Sequence, residues 1–150
     1  MKKTLLAFGI LFTLAFSAAK GLYNTNKKGV LIGGWDVVSY FNNKPVEGIS
    51  SFKTTHFGTI LYFANEENLT KFKNNPAKYF PQYGGWCAYA MGTDGSKVEI
   101  DPETYEIRNG KLYLFYNKLL TNTLELWLKE GPEKLAKNGD DYWQKLSDHK

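Results

Sequence analysis

Hydrophobic positions change their spacing several times along this chain, and each change predicts an element. An apolar run from Leu5 to Phe16 follows the basic start Met1-Lys2-Lys3-Thr4 and leads into Ser17, Ala18 and Ala19. That order is the one of a secretory signal peptide, and the run is too short for a spanning helix. The expectation is a periplasmic or secreted chain whose residues 1–19 are removed, with no stable membrane span afterwards. The polar stretch 20–29 predicts a flexible leader, and the folded domain is expected over 30–150.

Inside that domain, Ser51 to His56 and Thr59 to Phe63 flank Phe57-Gly58 and predict a strand pair. Asn65 is placed to cap a helix, with Glu66 and Glu67 in the first turn where the helix dipole favours acids. Leu69, Phe72 and Tyr79 share a face that Pro76 interrupts or restarts. Tyr105 to Arg108, then Asn109-Gly110, then Lys111 to Tyr116 give the clearest hairpin, because Asn-Gly supplies the positive φ angles of a two-residue turn. Leu120, Leu124, Trp127 and Leu128 recur at helical spacing up to Gly131-Pro132. A last short helix carries Leu135, and a further break at Asn138-Gly139 precedes Tyr142, Trp143 and Leu146. Paired strands and helices outside a βαβ rhythm predict a small single α+β domain with antiparallel hairpins and short helices.

Charge narrows the partners. The chain holds 19 basic and 15 acidic residues; loss of Lys2 and Lys3 leaves a mature charge of about +2. Its lysines are scattered rather than striped, which argues against nucleic acid and anionic membranes as partners. Aromatic residues make up 16% of the chain, so ring-on-ring packing should dominate the core.

Candidate chemistry centres on the one cysteine, Cys87, in Tyr83-Gly84-Gly85-Trp86-Cys87-Ala88. A lone thiol can ligate a soft metal, react, or fill a small apolar space, and Trp86, Ala88 and Tyr89 beside it favour burial. His56 is the only imidazole away from the C-terminal end and the one that could join Cys87 at a metal. Asp36, set among Trp35, Val37 and Val38, is either a cap or a ligand-facing acid. Gln82 and Tyr83 either line a pocket or fix their loop. Asp101-Pro102-Glu103 reads as a turn or a helix start. Enzyme signatures are missing: no Gly-x-Ser-x-Gly, no phosphate-binding glycine loop, no His-Glu-x-x-His and no second cysteine. The expectation is a binding module, not an enzyme.

The chain resembles exported single-domain members of the YHS-domain family. The resemblance rests on Gly34-Trp35-Asp36-Val37-Val38-Ser39-Tyr40-Phe41, Tyr62-Phe63-Ala64, Asn75-Pro76-Ala77-Lys78-Tyr79, Pro81 to Ala88, and Gly110 to Asn117, in that order. It implies a small α+β domain related to metal-binding modules. In those modules a Phe-Cys-Ser segment and a second cysteine supply thiolates. Here Phe63-Ala64-Asn65-Glu66-Glu67-Asn68 stands at that place, so their metal site does not carry over.

Two functions follow. In the first, an exported module holds copper or zinc through Cys87, with His56 as the second ligand. In the second, Cys87 is structural and an aromatic pocket formed by Asp36, Tyr40, Gln82, Tyr83 and Trp86 takes a small molecule or a protein.

Overall fold

The computed structural model describes residues 21–149. The expected signal peptide and its cleavage site lie outside the described residues. Strand β1 (Ile49–His56) pairs antiparallel with β2 (Thr59–Phe63), joined across Phe57-Gly58. Both turn residues have positive φ, 48° and 72°. In β2 the residues Thr59, Leu61 and Phe63 point inward, as the period of two requires.

Asn65 caps α1 (Glu66–Asn74) by accepting from the Asn68 N–H at 2.8 Å. Asn75 repeats the device for α2 (Pro76–Tyr79), where Pro76 occupies the first turn, a position that has no N–H to lose. A tight 3-10 segment, Gln82–Gly85, leads into α3 (Ala88–Asp94). Strands β3 (Asp101–Arg108) and β4 (Lys111–Phe115) form the Asn109-Gly110 hairpin. The short pair β5 (Asn117–Lys118) and β6 (Thr121–Asn122) then precedes α4 (Thr123–Glu130) and α5 (Pro132–Ser147). The molecule is a small α+β domain. Among the described residues no helix is long and apolar enough to cross a membrane.

Strand β4 is covered on both faces, and it organises the interior. Leu112 and Leu114 enter one apolar cluster with Tyr40, Phe63 and Phe72, whereas Tyr113 and Phe115 enter another with Trp86, Met91 and Trp127. The two clusters lie on opposite faces of this strand, and they meet beyond it where Tyr23 of the first contacts Trp143 of the second, with ring centroids 6.1 Å apart.

Four sequence expectations need correction. Residues 21–29 are not a flexible leader: Leu22 and Asn24 are buried, at 8% and 6% exposure. The Asn24 N–H donates to the Gly84 carbonyl at 2.8 Å and its side-chain amide to the Gly85 carbonyl at 3.0 Å. A polar sequence was compatible with order here because its backbone and amide groups pair with carbonyls across the fold. No break occurs at Asn138-Gly139 either; α5 runs through it, and buried Gly139 leaves room for the Tyr83 ring, which a Cβ would meet at 2.7 Å. Leu120 is not on α4 but stands fully exposed with Leu119 between β5 and β6. Asp101-Pro102-Glu103 is neither a turn nor a helix start but the beginning of β3, where Asp101 accepts from the Glu103 N–H and the Thr104 hydroxyl as the β3–β4 register shifts.

Candidate functional site

The backbone at Tyr83 and Gly84 takes two consecutive left-handed conformations, φ 55° and 60°. Glycine is the residue that tolerates this without strain. Space demands it as well, since a Cβ on Gly84 would come within 2.7 Å of Trp143 and 2.8 Å of Tyr23. Bare backbone thus forms a floor between two rings whose centroids lie 6.1 Å apart.

The β1–β2 turn adds the next wall. Phe57 stacks parallel to Tyr23, with centroids 5.9 Å apart and planes within 1°, and meets Phe80 edge-on at 5.5 Å. It does so while 63% exposed. His56 lies against Phe57, Phe72 and Phe80. Helix α5 closes the other side with Trp143 and Asp140. The result is an open cleft of about 500 Å³.

Its polar groups are few. The Tyr83 hydroxyl donates to the Ala136 carbonyl at 3.0 Å and to Asp140 Oδ1 at 3.1 Å. Burial, and then the Asp140 carboxylate, push the Tyr83 phenol far above its ordinary range, so it stays protonated. Burial lowers the His56 imidazole below its usual value, which leaves it neutral at pH 7. Asp140 is then the only formal charge among the residues lining the cleft.

Cys87 belongs to a different place. It is 0% exposed and lies beneath a smaller apolar groove bordered by Tyr89, Val98, Tyr116 and Thr123. Its sulfur accepts from the Tyr116 N–H at 3.4 Å and sits 3.4 Å from Thr123 Oγ1, which itself donates to the Tyr116 carbonyl. His56 lines the aromatic cleft instead, so the expected Cys87–His56 pair is not brought together. A hydroxyl and an amide N–H beside the thiol supply no second soft ligand, and the donor set does not fit copper or zinc. Among the described residues no group of three or more His, Cys, Asp and Glu is arranged to hold a metal ion.

The five pocket candidates divide. Gln82 and Tyr83 line the cleft. Asp36 does not act as a ligand-facing acid: it is 0% exposed and accepts from the N–H groups of Val38, Ser39 and Ala64 and from the Asn68 amide. Its carboxylate ties the Asp36–Ser39 turn to the end of β2 and the start of α1. Tyr40 is likewise 0% exposed, donating to the Pro102 carbonyl at 2.7 Å and packing edge-on against Tyr105. Trp86 is buried, and its indole N–H donates to the Leu22 carbonyl at 2.8 Å. These three hold the fold together.

Sequence reasoning missed Tyr23, Phe57, Phe80, Asp140 and Trp143 as site residues. One signal for them was present: Phe57 is a large apolar residue in the first position of a two-residue turn, where Asn or Asp is favoured. A scan of protein-family models, a search of curated proteins and a search of solved structures each find no match to this chain.

Proposed function

We propose that this chain is an exported, YHS-like binding module that takes a small organic molecule into the cleft between Tyr23, Phe57 and Trp143, with Cys87 as a packing residue. The observation that carries the reading is the exposed Phe57 ring, aligned on Tyr23 over the Gly84 floor. Leaving a phenyl ring in water forgoes roughly 1.5–3 kcal/mol of burial, which a ligand seated against it would recover. A concave, mainly apolar site with a few convergent polar groups is the general form of a small-molecule pocket. The copper or zinc reading gains nothing from the geometry, because Cys87 and His56 face different cavities.

The test is a two-dimensional NMR screen of the chain with a panel of small aromatic and aliphatic compounds. Saturable shifts should concentrate at Tyr23, Phe57, Gly84 and Trp143. Phe57→Ala should lower the melting temperature modestly, since it also loses its contacts with Tyr23, Phe80 and His56, leave the chain folded, and weaken each binder about fivefold, the scale of one lost ring contact. Saturable shifts confined to Cys87 and Tyr116, or none for any compound, would overturn the proposal.

A further inference from the structure

The cleft reading leaves open which chemical class enters, and the charge and ring arrangement narrows it. We infer that the cleft selects an alkylated ammonium cation, a tertiary or quaternary amine; this rests on the cleft being a binding site at all. Five benzenoid or indole rings, Tyr23, Phe57, Phe80, Tyr83 and Trp143, contribute to its walls. Aromatic faces carry negative quadrupole potential and attract cations that are weakly hydrated.

The only formal charge in the lining has the matching sign. Asp140 offers a carboxylate whose Oδ1 is held by the Tyr83 hydroxyl, and its other oxygen makes no protein hydrogen bond among the described residues. No lysine or arginine lines the cleft. Asp140 also borders a second groove, which Arg108, Lys111 and Lys137 line. Two of these are already committed, Arg108 to Glu106 and Glu133, and Lys137 to Asp141.

Anionic ligands fare badly by the same inventory. The Tyr83 hydroxyl already directs its proton to the Ala136 carbonyl and Asp140, so it is not free to donate to an incoming carboxylate or phosphate. The neutral His56 adds no positive charge. A primary ammonium would need acceptors for three N–H groups, and Asp140 with Gln82 offers few. Methyl groups on nitrogen remove that demand and replace it with contact against rings.

The experiment compares choline with 3,3-dimethylbutan-1-ol, which has the same shape without the charge, by calorimetric and NMR titration of the chain and of Asp140→Asn. Asparagine keeps an oxygen to accept from Tyr83, and unchanged melting temperature would verify that the fold survives. Choline should saturate with shifts at Tyr23, Phe57 and Trp143, bind about tenfold more tightly than the neutral alcohol, and lose most of that advantage in Asp140→Asn. Equal binding of the two probes, or choline binding indifferent to Asp140→Asn, would overturn the cationic class while the cleft stands. Saturation by neutral compounds from the screen but not by choline would do the same. No saturable binding of any compound would overturn the cleft with it.

Discussion

Gly84 and Cys87 stand three positions apart, yet they face surroundings that differ in almost every physical respect. Around Gly84 the backbone is bare, the neighbouring rings are partly exposed, and a single carboxylate stands in an apolar wall. Cys87 itself is fully buried beneath its groove, and the sulfur meets a backbone N–H and a threonine hydroxyl that is itself hydrogen-bonded. The first arrangement leaves ring faces and a carboxylate open to a ligand, and in the second the thiol is already engaged inside the protein. A cysteine attracts attention in a sequence because of its chemistry, but here the unused surface lies beside the glycine.

The largest expected effect comes from filling the floor. Gly84→Val would force a β-branched residue into a left-handed conformation and drive its side chain into Trp143 and Tyr23. The cost should be about 3 kcal/mol in denaturant unfolding, from backbone strain plus overpacking, and binding in the cleft should be abolished. An unchanged midpoint would mean that the rings are free to move aside and do not define a cavity.

Cys87→Ser should come next, at about 2 kcal/mol, because a smaller and more polar side chain would underfill the buried site, where only the Tyr116 N–H and the Thr123 hydroxyl are at hand as partners. Binding in the cleft should be unaffected, and copper(I) affinity should be as weak as in the unaltered chain. A loss of copper(I) affinity with stability retained would reverse the roles assigned to the two regions.

The smallest effect is a pH dependence. Folding holds the His56 imidazole below its ordinary pKa near 6.5, because the site is partly desolvated. Above about pH 6.5 the group is neutral in both folded and unfolded chains and adds no slope. As pH falls below that value the unfolded chain takes up the proton first, so stability declines until folded His56 also titrates. The groups facing His56 are the rings of Phe57, Phe72 and Phe80, and Asp140 is the charged residue sharing its cleft. Between pH 7.5 and 5.5 the unaltered chain should lose more stability than His56→Phe, as read by urea unfolding at each pH. Equal losses would show that His56 does not resist protonation.

Much of the fold was legible because its signals are local. The Asn65 cap, the Pro76 restart, the Asn109-Gly110 turn and the alternation in β2 each depend on neighbours within a few residues. The site was less legible because its parts meet from distant stretches: Tyr23 from a polar segment, Phe57 from a hairpin tip, and Asp140 and Trp143 from α5. One local cue misled, and one left two readings open. Asn138-Gly139 resembles a helix stop, but Gly139 serves close packing against Tyr83. Asp36 among apolar residues admitted either a cap or a ligand-facing acid, and the turn bonds hold: four donors inside the protein consume its oxygens.

The contrast between the two regions is tested most directly by following the Trp143 indole N–H and the Cys87 and Tyr116 amides in one NMR sample. Choline is added to saturation first, and zinc(II) afterwards. Trp143 should shift saturably with choline while Cys87 and Tyr116 stay in place, and zinc should then move none of the three. Saturable zinc shifts at Cys87 and Tyr116, with Trp143 indifferent to choline, would contradict the account.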